Sequence, residues 1–290
     1  MTRIVGVALL RNEDRFVAWS LLNVVDFCDA VMVLDNGSTD RTRAIVDAIA
    51  ARWPHVQVQT VADAYDTHRF VAPLAGSDTW VLGVDGDEIY HREGLARLRP
   101  AILAGDYDAW WKIHGHTLHA VRADFAAGVA EGYAPPEARS ITKLYNFRAI
   151  SSWEQGRHER LHGKAMVFRP GWSADSLLET WREADWDTTP LRCLHLCFFP
   201  RSSQPEAAAV ARSNPAEIMK RRRLLRRLRD AVLGPLAPRK NYKKMHYQAG
   251  PLCAVSLAGF GAPDDWPDID RHAPEARALL ADGVDLSQAA

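Results

Sequence analysis

Two apolar rhythms alternate along the first hundred residues. After its first residue, Arg3–Leu10 is an unbroken apolar run, the pattern of a strand buried on both faces. Glu13–Cys28 then repeats Val17, Leu21, Val24 and Cys28 at helical spacing. Ala30–Leu34 reads as a second buried strand ended by Asp35, and Asn36–Asp40 as a turn rich in helix-capping residues. Arg41–Trp53 follows as a helix expected to turn Ala44, Ile45, Ala48 and Ile49 inward. His55–Val61 alternates like a strand, and Thr79–Val84 is a further buried strand ended by Asp85. This order predicts an α/β fold with parallel strands joined by crossovers, whose ligands sit at the carboxyl ends of the strands. Those ends carry Arg11, Asn12 and Glu13, then Asp35 and Asn36, then Asp85, Gly86, Asp87 and Glu88, so the expected crevice is acidic.

The second half is less regular. His114, His116 and His119 fall in a strand and loop, and residues 124–140, rich in Ala, Gly and Pro, read as an irregular loop or lid. Ile141–Phe147 and Leu191–Phe199 read as strands. Ala216–Val232 is a helix with Ile218, Leu225, Leu228 and Val232 on one face and Lys or Arg around the rest. Four prolines in the last 40 residues suggest a tail that wraps the surface.

Composition narrows the class. Across 290 residues, 47% apolar and 25% charged is ordinary globular usage, which excludes global disorder and a collagen-like chain. No stretch approaches the ~18 uninterrupted apolar residues of a membrane span. The first apolar run is broken by Arg11, Asn12 and Glu13 without a small-residue cleavage site, so a strand is expected there, not a signal peptide. Four cysteines in apolar contexts fit free thiols in a reducing cytoplasm. The net charge is zero, yet residues 201–250 carry 13 Lys and Arg against 3 Asp and Glu. That segment, with Lys220–Lys244 at its centre, permits three readings: a solvated helix face, a patch for an anionic membrane surface, or a nucleic-acid contact.

Carboxylates leaving a buried strand into a tight turn are costly unless something positive neutralises them. For Asp85-Gly86-Asp87-Glu88 alone, a divalent metal site and a plain polar turn are equally good accounts. The ordered set RNED, VLDNGSTDRT and VLGVDGDE over residues 1–105 resembles family 2 glycosyltransferases of the GT-A fold. That resemblance implies a Rossmann-like mixed sheet flanked by helices over residues 1–200, with a nucleotide-sugar half (1–105) and an acceptor half (106–200). Residues 201–290 would add the basic helix and tail. It also implies that Asn12, Glu13 and Asp35, with Arg11 and Asn36, hold the nucleotide base and ribose. Asp85 and Asp87 would hold Mn²⁺ or Mg²⁺ against the diphosphate of the donor, UDP being favoured. Arg69 stands where the family often has a basic residue.

His158-Glu159-Arg160-Leu161-His162 satisfies the zinc metalloprotease spacing H-E-x-x-H. Gly156 and Gly163 bracket it too tightly for a stable helix. The stretch SSWEQGRHERLHG instead resembles an element of family 2 enzymes that glycosylate bacterial surface molecules. There the matching Glu159 is a general base. Leu194-His195-Leu196 and Arg201-Ser202 resemble the same group's tail, in which a His completes the metal site; a core histidine is an equally good account of His195. Cys193 and Cys197 flank it as packing residues. The resemblance thus implies inverting transfer to a cell-surface glycan or lipid-linked saccharide by a cytoplasmic, membrane-peripheral enzyme. A modified phage DNA base as acceptor, a zinc metallohydrolase and a nucleic-acid-binding module are the alternatives.

Overall fold

The computed structural model describes residues 1–153, 166–204 and 242–261. Its elements are β1 Arg3–Leu10, α1 Val17–Leu22, β2 Ala30–Asp35, α2 Thr42–Arg52, β3 Val56–Thr60, α3 His68–Val71, β4 Thr79–Val84, β5 Glu88–Tyr90 and α4 Arg92–Ala104. The chain continues through β6 Lys112–His114, β7 His116–Asp124, β8 Val129–Tyr133, β9 Lys143–Asn146, β10 Ile150–Trp153, β11 Met166–Phe168, β12 Leu177–Glu179, β13 Arg192–His195, α5 Tyr242–Tyr247 and β14 Cys253–Ser256.

Seven strands form the main sheet in the order β12-β6-β9-β4-β1-β2-β3. β1 pairs in parallel with β2 and β4, and β2 with β3, whereas β9 runs antiparallel between β4 and β6. The mixed α/β sheet flanked by helices that the sequence implied is therefore present. Period-two alternation sorts the apolar run of β1 onto two cores. Ile4, Ala8 and Leu10 join Val17, Leu21, Ile45, Ile49, Leu95 and Leu98 of α1, α2 and α4 on one face. Val5, Val7 and Leu9 join Val81, Tyr145, Phe147 and Trp153 on the other. Both faces are covered, which is why β1 and β4 read as continuous hydrophobic runs. A Cβ on Gly6 would meet Cys28 Sγ at 3.1 Å, so the small residue lets the chain that follows α1 press onto the sheet. All four cysteines are free thiols, three of them buried.

A second sheet, β14-β8-β7-β13-β5, packs Leu118, Leu194 and Ile89 against Phe16, Trp19 and Phe260. No helix among the described residues is long and apolar enough to cross a membrane.

Five local expectations need correction. α2 buries Thr42, Ile45, Val46 and Ile49, leaving Ala44 and Ala48 exposed. The larger β-branched residues win the i, i+3, i+4, i+7 stripe over the alanines. Helix α1 stops at Leu22, although helical turns continue to Cys28, and at its end the Asn23 side-chain amide donates to the Tyr90 and Phe260 carbonyls, both at 2.7 Å. Residues 124–140 are not wholly irregular, since β8 within them forms a hairpin with β7 and an edge with β14. The strand expected over Leu191–Phe199 ends at His195, where Leu196 N donates to Asp87 O at 2.8 Å. Cys253–Ser256, in the segment expected to wrap the surface, is an edge strand. The helix expected over 216–232 lies outside the described residues.

Candidate active site at the carboxyl ends of β1, β2 and β4

The parallel pairing of β1 with β2 and β4 brings three polar strand ends together. The end of β4 turns at once into β5. Glu88 N donates to Asp85 O at 3.0 Å, and Ser20 Oγ reaches the carbonyls of both Asp85 and Glu88 at 2.8 and 2.9 Å. Gly86 sits at the tip, where a Cβ would stand 1.9 Å from Glu13 Oε2. Only glycine lets this turn lie against the carboxylate that follows β1.

Glu13, Asp87 and Glu88 are buried and Asp85 is half-buried. Among the described residues two cations reach them. Lys143 Nζ lies 2.8 Å from Asp85 Oδ2 and 3.4 Å from Glu88 Oε1. Arg201 Nη1 lies 3.2 Å from Asp87 Oδ2 and 3.5 Å from Glu13 Oε1. Burial works against the Arg201 charge, but Asp87 and Glu13 outweigh it and raise its pKa. Burial first, and then Glu88, push the Tyr90 hydroxyl well above the usual phenol range; it donates to Glu88 Oε2 at 3.1 Å and to Gly83 O at 3.0 Å. Among the described residues, Lys143 and Arg201 each bridge two of these four carboxylates.

Register in the second sheet supplies the imidazole. His195 pairs with Glu88 on one side and His119 on the other. His119 Nε2 lies 2.8 Å from the Arg139 carbonyl, which can only accept, so that nitrogen carries the proton. The neutral ring's Nδ1 is then an acceptor, and His195 Nδ1–H must donate across the 2.7 Å contact between the two rings. His195 Nε2 is thereby directed at Asp87, 3.9 Å from Oδ2. Tyr247 stacks on His119 with centroids 4.3 Å apart, and Cys197 Sγ joins the two imidazoles within 4.8 Å. A ligand nitrogen held by a hydrogen bond at the ring's other nitrogen is the usual support of a metal-binding histidine. Among the described residues the three ligand atoms that converge within 4.8 Å are those of His119, His195 and Cys197, and Asp87 faces this group through His195.

The predicted nucleotide end is partly self-occupied. Asn12, at φ 52°, accepts at Oδ1 from Thr39 N at 2.7 Å, and Asp35 Oδ1 accepts from Ser38 N at 3.1 Å. Arg11 Nη1 reaches Asn36 Oδ1 at 3.4 Å, while Asn36 Nδ2 donates to Val61 O at 3.0 Å. Residues 201–204 lace the two loops together. Ser202 Oγ donates to Asp40 Oδ2 at 2.6 Å, Ser203 N to Asp14 Oδ1 at 2.7 Å, and Gln204 Nε2 to Thr39 O at 2.7 Å. The structure therefore brings Glu13, Asp85, Asp87 and His195 to one place, with Arg11, Asn12, Asp35 and Asn36 on the adjoining loops. Arg69, on α3, points outward with its side chain 81% exposed and pairs with Asp66 at 3.5 Å. Glu159 and both histidines of the H-E-x-x-H stretch lie outside the described residues.

Sequence reasoning missed Lys143, whose only signal is a lone lysine inside the strand-like ITKLYNF. It also missed Ser20 and Asn23, two polar residues on a helix that is otherwise core. His119 was one of three flagged histidines, but its partnership with His195 was not. Of the other two, His116 bonds the Ala184 carbonyl at 3.0 Å, a packing role. Trp111 is buried and donates Nε1 to Ala174 O at 2.9 Å, which makes it core too.

The buried histidines make stability pH-dependent. Burial first, then Arg192, depresses His91 to about 4. Burial first, then Lys112, depresses His114 to about 3. Burial also lowers His116 and His119. Unfolded histidine titrates near 6.5, so between that value and the folded pKa the unfolded chain binds more protons. The stabilisation is complete above about pH 6.5 and is lost as pH falls towards 4. The urea midpoint, followed by circular dichroism, should drop steadily from pH 7 to pH 4.5. A flat profile over that window would contradict the buried neutral state of these rings.

No family model matches the chain. A stretch of 99 residues is 32% identical to a TPR repeat-containing protein of Synechococcus elongatus, covering 34% of this chain and 24% of that protein, so the chain spans about a quarter of that relative's length. Among solved structures, a mannosyltransferase of Pyrobaculum calidifontis in complex with GDP-Man and Mn²⁺ is similar over 43% of this chain and 37% of its own, with 21% identity and TM-score 0.30. Glucosyl-3-phosphoglycerate synthase of Mycobacterium tuberculosis, in complex with Mn²⁺, UDP and phosphoglyceric acid, is similar over 41% and 43%, with 22% identity and TM-score 0.28. A 4-diphosphocytidyl-2C-methyl-D-erythritol synthase of Anaerococcus prevotii is similar over 52% and 72%, with 11% identity and TM-score 0.33.

Proposed function

We propose that this chain is a metal-assisted glycosyltransferase of the family 2, GT-A kind. It moves a sugar from a nucleotide-sugar donor, with UDP favoured, to an acceptor hydroxyl. The observation that carries this reading is the convergence of Glu13, Asp85, Asp87 and Glu88 at the carboxyl ends of β1 and β4, with His195 Nε2 3.9 Å from Asp87 Oδ2. Gathering carboxylates in a buried place is costly, and a hard divalent cation would offset part of that cost. Asp85, Asp87 and His195 would hold Mn²⁺ or Mg²⁺. When bound, such an ion supplies positive charge to the leaving diphosphate.

The chain's own residues do the rest. Arg201 and Lys143 flank the cluster and place N–H donors beside the developing phosphate charge. Asp35 and Asn36, with Arg11, Asn12 and Glu13, receive the base and ribose. Glu159 is assigned as the base that takes the proton from the acceptor hydroxyl, so that one displacement inverts the anomeric centre. The acceptor is a cell-surface glycan or lipid-linked saccharide. The basic segment 220–244 rests on the anionic cytoplasmic membrane surface.

A thermal-shift screen of UDP- and GDP-sugars with and without Mn²⁺ tests the reading, since a ligand of the native state raises the apparent stability. The expected result is stabilisation by a nucleotide sugar that requires Mn²⁺. In Glu159→Gln that shift should persist while transfer falls by about 10²–10⁴-fold. Stabilisation by none of the nucleotides would sink the donor assignment, and normal turnover of Glu159→Gln would move the base elsewhere.

A further inference from the structure

We infer that the sheet surface formed by β6 and β9 is a second anion site, taking a phosphate or carboxylate group carried by the acceptor, with Lys112 as its principal cation. The identification of the carrier as an acceptor rests on the glycosyltransferase reading; the site itself does not.

Strand register defines this surface. Ile113 and Leu144 pair and enter the core shared with α1, α2 and α4. Period-two alternation therefore sends Lys112 and His114 of β6, and Lys143 and Tyr145 of β9, to the opposite face. Lys112 pairs with Tyr145, and Lys143 pairs with Gly83 beside the end of β4. Three basic side chains thus share one patch that borders the acid cluster through the contact of Lys143 with Asp85 at 2.8 Å.

Lys112 is the unusual member. It is half-buried, and its ammonium lies 5.0 Å from the Tyr145 ring centroid and 5.8 Å from that of Trp111. Among the described residues no carboxylate stands within ion-pair distance of it. Glu179, opposite His114 on β12, is bound to the Arg182 guanidinium. Burial first, then Arg139 and Lys143, lower the Lys112 pKa to about 8. Burial, then Lys112, Arg139 and Lys143, act the same way on His114. A desolvated ammonium among like charges is expensive on its own and becomes favourable when an anion enters. Aromatic walls beside the cation suit a small polar molecule with an apolar face.

The test uses the full chain with two probes, inorganic phosphate and UDP with Mn²⁺, each titrated by calorimetry at low ionic strength. Phosphate should bind the wild type saturably. Lys112→Met should weaken it at least tenfold, and Lys112→Arg should restore most of the loss. UDP–Mn²⁺ should bind both variants as it binds the wild type, and it should not displace phosphate. The inference is overturned if phosphate binding is absent or survives in Lys112→Met. Displacement of phosphate by UDP–Mn²⁺ would also overturn it, because the anion would then be the donor's diphosphate. Phosphate binding through Lys112 without any nucleotide binding would keep the site and remove the glycosyltransferase reading. If Lys112→Met does not fold, amine labelling of the wild type read by mass spectrometry decides instead: phosphate must slow the labelling of Lys112, and unchanged labelling overturns the proposal.

Discussion

Asp87→Ala should lose Mn²⁺-dependent binding of the nucleotide and reduce transfer by about 10²–10³-fold, the usual cost of removing one electrostatic support of a developing anion. Asp87 is the hub of the site. Its buried carboxylate meets Arg201 at 3.2 Å and faces His195 Nε2 at 3.9 Å, and its carbonyl accepts from Leu196 N at 2.8 Å. The backbone contact survives the substitution, so the turn should keep its shape while the charge is lost. Binding of Mn²⁺, read by paramagnetic resonance, separates loss of the ion from loss of the fold. A variant that still binds Mn²⁺ and turns over normally would move the metal assignment away from this turn.

Arg201→Ala should be the most destabilising single change at the site. It leaves Glu13 and Asp87, 0% and 3% exposed, without the guanidinium that bridges them. Removing one partner of a buried ion pair typically costs about 3–5 kcal/mol. The guanidinium is itself one-quarter exposed, so the lower end of that range is expected. Saturating Mn²⁺ should recover part of the loss, because the ion would take over the neutralising role. Urea unfolding with and without Mn²⁺ measures both effects. Equal destabilisation in the two conditions would mean that the cation does not bind beside Asp87 and Glu13.

The two substitutions separate what could be read along the chain from what could not. Asp87 can be picked out as a candidate, since it stands three residues beyond a buried apolar run in an acidic turn, although that turn alone is equally well explained as plain turn chemistry. Arg201 is marked only by the resemblance of Arg201-Ser202 to the family tail; nothing in the local pattern distinguishes it from the other arginines between residues 201 and 250. Its role depends on the chain returning across 188 residues to Glu13. Lys143 is similar. It meets Asp85 across 58 residues only because β9 lies antiparallel beside β4 and sets Lys143 against Gly83.

Local physics carried the sequence a considerable distance. Strands β1, β2 and β4, helix α2 and the polar strand ends follow from hydrophobic periodicity and turn chemistry, which act over a few residues. The acidic character of the crevice and the presence of His195 on an apolar strand were equally legible. Tertiary structure alone decided which cations meet those acids, which nitrogen of His195 faces Asp87, and which face of β6 and β9 carries Lys112 and Lys143. Each of these depends on strand register and on contacts between distant segments, as in the pairing of His119 with His195 across 76 residues. Burial makes a charge expensive wherever it sits in the chain; only the assembled sheet determines which partner stands close enough to offset it.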